Sequence, residues 1–197
     1  MLLFIPMGSP PPSGRDDRML EEYIASIARS DKDALSALYQ ETHGAVYGFA
    51  LSVLKSAHDA EDVLQETYIR VFQAADRYQP QGKPLAWLFT IARNLALMRL
   101  RERGKTVATA PEDWQEQWAD SDTVTPEDRV VLQSVLTLLA DEERQIVMLH
   151  AVAGFKHREI AAVLGLPLPT VLSKYSRSIK KLQNAMKEVP HDEEKRA

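Results

Sequence analysis

The sequence predicts an all-α fold built from two small helical domains that an acidic linker joins. Apolar residues recur at three-and-four spacing over several long segments, the pattern of amphipathic helices. The 11 prolines and 8 glycines are concentrated in a few places, which leaves most of the 197 residues free to be helical. A stretch with seven acids and no base, residues 106–128, separates these helical segments into two groups.

The composition excludes several kinds of site. The chain has no cysteine, which excludes disulfides, thiolate metal sites and cysteine nucleophiles, and which fits a cytoplasmic location. Its five histidines include no pair at i, i+4 and none in a helical Glu-x-x-His. We therefore expect hydrogen-bonded or solvated histidines, and no metal, cofactor or catalytic residue. No apolar run is long enough to cross a membrane, so we expect no membrane insertion.

Residues 17–105 are predicted to form the first domain, after a disordered extension over residues 1–16 that contains GSPPPSGRDD. Its second helix, roughly residues 32–54, buries one long face, and Ser30 or Asp31 is placed to cap it. A third helix follows a break at residues 55–58, with Asp59 placed as its N-cap. The outer side of this third helix is polar and acidic. It carries Glu61, Asp62, Gln65 and Glu66.

A polar loop, residues 76–83, leads to a fourth helix that Pro84 can begin. At about 100° per residue, one flank of this helix collects a tryptophan, a hydroxyl, an amide and arginines. These residues are Trp87, Thr90, Asn94 and Arg101, with Arg93 further round. Such a flank suits unstacked bases, because the ring stacks, asparagine reads base edges and arginine holds phosphate. The alternative, that Trp87 belongs to the core, has equal weight on spacing alone.

Residues 126–188 are predicted to form the second domain, which residues 189–197 follow as a polar tail. Two helices, one opening at Pro126 and one after Asp141, support a helix-turn-helix in residues 155–186. Gly165 ends the first helix of that motif, and Pro167 and Pro169 allow the second to begin.

The last helix has two different faces. Its apolar stripe holds Val171, Tyr175, Ile179, Leu182 and Met186, with Leu172 at the edge. Its opposite arc contains no acid and consists of Thr170, Ser173, Lys174, Arg177, Lys180 and Lys181. A helix that enters the major groove needs cations for phosphates and short or forked donors for base edges. The alternative is a solvated amphipathic helix.

The net charge of −4 is unusual for a nucleic-acid-binding protein, but the charges are unevenly distributed. Residues 84–105 and 156–187 together hold 12 of the 24 lysines and arginines and only two acids. Outside these patches the field opposes a polyanion, so we expect weak DNA binding by the chain alone and a requirement for a partner.

Three segments carry a resemblance to a known family. They are AEDVLQETYIRVFQA, WLFTIARNLALMRLR and EIAAVLGLPLPTV, in that order. Over residues 18–188 the chain resembles the sigma subunit of bacterial RNA polymerase, and more narrowly the small extracytoplasmic-function group. The resemblance implies a sigma region 2-like domain, a sigma region 4-like domain, and core polymerase, promoter DNA and an anti-sigma factor as partners.

The resemblance also implies roles for residues. The third helix would bind core polymerase through Glu61, Asp62, Gln65 and Glu66. The loop and fourth helix would melt and hold the −10 element through Tyr78, Lys83, Trp87, Thr90, Arg93, Asn94 and Arg101. The last helix would read the −35 element, and from its basic arc we predict that Lys174 and Arg177 lie closest to bases and that Lys180 and Lys181 contact phosphate. Two departures stand out: Leu172, Ser173 and Lys174 lie where the family often has Lys-Ser-Arg, and Met98 lies where many members have an acid.

The linker, residues 106–125, is long enough for both domains to bind one promoter. The 22 residues from Gly104 to Thr125 can span about 75 Å when extended, and two sites two helical turns apart on DNA are about 70 Å from each other. We hypothesise that residues 106–128, with Trp114 and Trp118, lie in the polymerase channel as a nucleic-acid mimic. The alternative is a solvated tether.

A sigma factor without catalysis of its own is therefore the leading interpretation. The alternative is a helix-turn-helix regulator that acts on duplex DNA without binding core polymerase.

Overall fold

The computed structural model describes residues 17–104 and 138–188. Within them the chain is helical, with no strand. The helices are α1 (Asp17–Ile27), α2 (Lys32–Leu54), α3 (Ala57–Ala74), α4 (Pro84–Arg103), α5 (Asp141–Ala151), α6 (His157–Leu164) and α7 (Leu168–Glu188), and a 3-10 turn (Ala75–Arg77) follows α3. The all-α prediction is thus confirmed. The predicted N-terminal extension, acidic linker, helix at Pro126 and polar tail lie outside the described residues.

Local signals explain most of the helix ends. Asp31 caps α2 by accepting hydrogen bonds from the backbone N–H groups of Asp33 and Ala34, at 2.9 and 3.1 Å. Pro84 is the first residue of α4, as its position in the sequence predicts. Gly165 ends α6 with φ of 67°, a left-handed conformation that other residues adopt only with strain.

The predicted cap of α3 is wrong by three residues. Ser56 is the N-cap, and its Oγ accepts a hydrogen bond from the Asp59 N–H at 3.3 Å. Asp59 lies one turn inside the helix instead, where its nearly buried carboxylate pairs with Arg99 at 3.2 Å and with Arg103 at 2.8 Å. The Asp59 carboxylate therefore joins α3 to α4. Ser56 already accepts the hydrogen bond at the start of α3, so Asp59 is free to form these two ion pairs.

The centre of the molecule is α2. Residues 45–54 of this helix are all buried, so the prediction of one long buried face holds only for the first half of α2. The reason is that α1, α3 and α4 pack against α2 and that α5, from the second helical group, also packs there. A helix covered from all sides carries apolar or small residues at every position.

The two helical groups share one hydrophobic core. Phe89 of α4 meets Phe155 of the α5–α6 loop edge to face, with ring centroids 5.0 Å apart. Arg144 of α5, whose side chain is 1% exposed, donates from Nε to the Ser52 carbonyl oxygen at 2.8 Å. Across the same boundary Lys55 pairs with Asp141 at 3.1 Å. These contacts hold the helix-turn-helix against the first bundle.

Candidate nucleic-acid interface

The helix-turn-helix consists of α6 and α7. Turn residue Leu166 donates its N–H to the Ala161 carbonyl oxygen at 3.0 Å, which closes the end of α6 around Gly165. Val171 and Ser178 of α7 are fully buried. The Ser178 hydroxyl donates a hydrogen bond to the Lys174 carbonyl oxygen at 2.8 Å. One side of α7 is thereby fixed to α5 and α6, and the other side is presented outward.

The outward side of α7 contains most of the predicted recognition arc. Ser173, Arg177 and Lys180 are exposed, and Thr170 and Lys174 are half-buried. Arg177 folds back along its own helix, with Nε 3.3 Å from the Ser173 carbonyl oxygen. Such a bond breaks at little cost when a better acceptor arrives, because the guanidinium is exposed.

Two lysines of the arc are bound by acids from α5. Lys174 pairs with Glu142 at 3.0 Å, and Lys181 pairs with Glu143 at 2.7 Å. The Glu143 side chain is only 8% exposed, and the hydrogen bond from Lys181 lowers its pKa below the ordinary value. The arc contains no acid of its own, but the neighbouring helix supplies two. Glu143 also accepts from the Ala140 N–H at 3.3 Å, so Lys181 lies in a network that supports α7.

Leu172 does not pack with the apolar stripe. Its side chain is 46% exposed, whereas the neighbouring Val171 is fully buried. This exposure agrees with the predicted place of Leu172 at the edge of the apolar stripe. On its other side lie Ser176 and Lys180, about 40° and about 80° away around α7, and both are exposed.

The residues predicted to hold unstacked bases differ in their exposure. Lys83, Thr90, Asn94 and Arg101 are exposed, and the last three lie within about 40° of one another on α4. Trp87 is half-buried. It packs against the core, and its ring centroid is 4.9 Å from that of Tyr78. The contact with the core fits the alternative interpretation of Trp87, and the stacking of a base on its ring stays a prediction.

Tyr78 and Arg93 have partners inside the chain. The Tyr78 hydroxyl donates to Glu21 at 3.0 Å, and burial together with this carboxylate raises the pKa of Tyr78 to about 12. Glu21 also accepts from the Gly82 N–H at 2.8 Å, which fixes the loop before α4. Arg93 donates from Nη2 to the Leu164 carbonyl oxygen at 3.2 Å, at the end of α6. The structure therefore points Arg93 toward the helix-turn-helix and away from the exposed row.

The acidic side of α3 lines an open groove of about 450 Å³ between α3 and α4. Glu61 and Gln65 are exposed, but Asp62 is paired with Arg99 and Glu66 is paired with Arg70. From the sequence we predict that Asp62, Gln65 and Glu66 bind the polymerase and nothing within this chain, and for Asp62 and Glu66 the second part of this prediction is wrong. Arg99 on α4 is close enough to pair with Asp62, and Arg70, one turn further along α3, is close enough to pair with Glu66.

Sequence reasoning missed several residues of these surfaces. Ile69 and Met98, 49% and 48% exposed, line the same groove as Asp62. The helical spacing predicts that Met98 packs in one stripe with Leu88, Ile91 and Leu95, and its exposure shows that this prediction is wrong. Ile69 falls in no predicted packing stripe, which was the available signal. No local pattern predicts the role of Arg144, because its acceptor Ser52 lies 92 residues away.

Two histidines form an unexpected cluster behind the recognition helix. The rings of His150 and His157 stack at 4.6 Å, and both meet Tyr175 edge to face at 4.7 Å. His150 Nδ1 lies 2.8 Å from the Phe155 carbonyl oxygen, whereas His157 Nε2 is buried with no hydrogen-bond partner among the described residues. Burial and the nearby His150 lower the pKa of His157. The expectation that every histidine is hydrogen bonded or solvated is therefore wrong for His157.

In the described ranges, no group of three or more histidine, cysteine, aspartate or glutamate side chains is arranged to hold a metal ion. Over residues 17–104 and 138–188, no helix combines the length and hydrophobicity that a membrane span needs.

The candidate surfaces on α3, α4 and α7 lie in regions of the chain that match known protein families. Residues 38–106 match the model of Sigma-70 region 2, and residues 129–182 match that of Sigma-70 region 4. The chain is 30% identical over 182 residues to the ECF RNA polymerase sigma factor SigK of Mycobacterium ulcerans, covering 89% of this chain and 97% of the relative. It is 25% identical to the ECF RNA polymerase sigma factor SigW of Bacillus subtilis, covering 88% of this chain and all of the relative.

Solved structures show the same fold. The sigma factor RpoE of Bartonella quintana, in complex with the anti-sigma factor NepR, superimposes with a TM-score of 0.62. It is 24% identical, and the match covers 81% of this chain and 100% of that chain. CnrH, in complex with the cytosolic domain of CnrY, superimposes with a TM-score of 0.61 at 23% identity, covering 87% of this chain and 99% of that chain.

Proposed function

The chain belongs to the extracytoplasmic-function sigma factors of bacterial RNA polymerase, and we propose that its two helical units divide promoter recognition between them. As a member of this family it directs core polymerase to promoters for transcription initiation. In our assignment residues 17–105 bind core polymerase and the −10 element, and residues 126–188 read the −35 element. Residues 106–125 connect the two units.

The observation that carries this assignment is the exposed row on α4. Thr90, Asn94 and Arg101 offer a hydroxyl, an amide and a guanidinium along one line, and half-buried Trp87 lies beside it. This combination fits a single strand whose bases are unstacked, because it supplies a ring face, base-edge donors and acceptors, and a phosphate ligand. Duplex DNA presents no unstacked base to such a row. A melted −10 strand is therefore the ligand that we assign to α4.

Tyr78 and Lys83 frame the entrance to this row. The bond from Tyr78 to Glu21 and the ring contact with Trp87 hold the loop in place. We assign Lys83, which is exposed, to a backbone phosphate next to the row. Arg93 can join the same site only after it leaves the Leu164 carbonyl oxygen.

On α7 we assign the −35 element to Thr170, Ser173, Lys174, Arg177 and Lys180. The N-terminal residues of a recognition helix reach base edges, and later residues meet phosphates. Lys174 must exchange Glu142 for DNA, and this partly exposed pair is weak enough to allow it. Lys181 is predicted from sequence to contact phosphate. We propose instead that it positions α7 through Glu143.

The groove between α3 and α4 is our candidate surface for core polymerase. Gln65 lines the groove and is exposed, as is Glu61 on the same helix. A basic partner would compete with Arg99 for Asp62 and with Arg70 for Glu66. Partial exposure keeps both ion pairs weak, so this exchange costs little. Ile69 and Met98 add an apolar surface to the same groove.

Promoter binding requires the two units to separate. The Arg93–Leu164 bond holds the middle of α4 against the end of α6. A 20-residue helix is about 30 Å long, whereas sites two turns apart on DNA are about 70 Å apart. We infer that the closed arrangement opens on the polymerase, and the sequence of the linker contains enough residues to span that separation.

Three further assignments follow from family membership. Sigma factors are not enzymes, and we assign no catalytic residue to this chain. It must meet core polymerase, so we place it in the cytoplasm. An anti-sigma factor is the partner that we expect to hold it inactive.

Reconstitution with core polymerase tests the proposed function. Full-length chain and core polymerase are mixed, co-purified and supplied with genomic DNA, and the 5′ ends of the transcripts are sequenced. We expect starts that share two upstream elements. A chain that binds duplex DNA but not core polymerase would instead be a helix-turn-helix regulator, the alternative interpretation.

A further inference from the structure

Leu172 is an exposed leucine between the apolar stripe and the polar side of α7. It is the fifth residue of the helix, and its side chain is 46% exposed. At about 100° per residue it lies within about 140° of Ser173, Ser176, Arg177 and Lys180, all of which are exposed. Leu172 is the one apolar side chain in this exposed set.

Its place on the helix limits what Leu172 can meet. The first turns of a recognition helix enter the major groove deepest, so a side chain there meets base edges more readily than phosphate. In that groove the bases present hydrogen-bonding atoms and one apolar group, the C5-methyl of thymine. A leucine has no donor or acceptor for the first kind of group.

We propose that Leu172 contacts the C5-methyl of one thymine in the −35 element and so selects thymine at that position. The inference rests on the proposed function, since it requires α7 to read duplex DNA. Ser176 and Lys180, about 40° and about 80° from Leu172 around the helix, are the exposed polar side chains beside it. Burial of one methyl group corresponds to about a fourfold change in affinity.

Replacement of thymine by deoxyuridine tests the contact, because deoxyuridine lacks only the methyl group. Holoenzyme made from core polymerase and the full chain first selects an upstream element from duplexes of random sequence. Each thymine of the selected element is then replaced singly by deoxyuridine, and binding is measured by competition. The variants are Leu172→Ala and, as a matched control, Leu100→Ala, an exposed leucine of α4.

Wild type and Leu100→Ala should each bind about fourfold more weakly when one particular thymine is replaced. Leu172→Ala should bind thymine and deoxyuridine equally at that position, with an unchanged melting temperature and unchanged preferences elsewhere. If an upstream element is selected but no deoxyuridine replacement weakens binding, the inference about Leu172 is wrong. It is also wrong if the weakening persists in Leu172→Ala. Either result leaves the assignment of α7 to the −35 element intact. If holoenzyme selects no upstream element, the assignment of α7 to the −35 element fails together with it.

Discussion

Two adjacent lysines of α7 offer a matched pair of substitutions that separates support of the helix from DNA binding. Lys180 is exposed, whereas Lys181 donates to the nearly buried Glu143 carboxylate at 2.7 Å. Lys181→Ala leaves that carboxylate with the Ala140 N–H at 3.3 Å among the donors described here. A hydrogen bond to a charged group contributes about 1.5 to 3 kcal/mol.

We expect Lys181→Ala to lower the free energy of unfolding by about 1.5 kcal/mol, the lower end of that range. The reason is that Lys181 is half exposed and stays hydrated in either state, so the cost arises from Glu143. In a chain of this size that corresponds to about 3 to 6 °C in Tm. Lys180→Ala should leave Tm unchanged and reduce the salt dependence of promoter binding by about one phosphate contact.

The pH dependence gives an independent readout. Because Lys181 lowers the pKa of Glu143 below its ordinary value of 4.5, folding favours the ionised carboxylate. This contribution is complete above pH 4.5 and is lost as the pH falls through the lowered pKa. The difference in unfolding free energy between wild type and Lys181→Ala should therefore shrink on acidification.

Urea unfolding at several pH values, together with salt titration of promoter binding, measures both effects. A Lys181→Ala protein with wild-type stability and a reduced salt slope would contradict the reasoning. That result would mean that Lys181 contacts phosphate, as the sequence alone predicts.

Four other outcomes are expected. Arg144→Met removes the 2.8 Å bond to Ser52 and should raise the open population about 30-fold, which corresponds to about 2 kcal/mol; small-angle scattering should show a larger radius of gyration, with helicity retained. Gln65→Arg adds a cation to the exposed surface of α3 and should abolish co-purification with core polymerase at unchanged Tm; retained binding would refute the assignment of that groove. Asn94→Ala should weaken open-complex formation about tenfold without loss of stability, as read by permanganate reactivity; unchanged reactivity would exclude a base contact. Replacement of the seven acids of residues 106–128 by serine and asparagine should weaken core binding and change the ratio of abortive to full-length transcripts, whereas normal values would leave only the tether.

Much of this fold was predictable because local signals and packing agree. Asp31, Pro84 and Gly165 each end or begin a helix by a mechanism that acts within a few residues. The apolar periodicity then identifies the packing faces, since a helix buries what lies at three-and-four spacing. The exposed row on α4 follows from the same periodicity.

Contacts between distant segments were not predictable from spacing. Glu143 and Lys181 are 38 residues apart, and Asp62 and Arg99 are 37 apart, so nothing local indicates that they pair. The degree to which Leu172 is exposed was not predictable for a related reason. Its angle puts it at the boundary of two faces, and the way α7 packs on α5 and α6 decides how much of its side chain is covered.

The ion pairs of α7 also explain how an acidic protein can carry a DNA-reading helix. Lys174 and Lys181 are matched by Glu142 and Glu143, while Arg177 and Lys180 form no ion pair in the described part of the chain. Each phosphate contact adds only about one unit to the salt dependence, and two such contacts give weak binding at physiological salt. We therefore expect the chain alone to have little affinity for arbitrary DNA. In our proposal core polymerase supplies the affinity, and α7 contributes the choice of sequence through the few side chains that reach the bases.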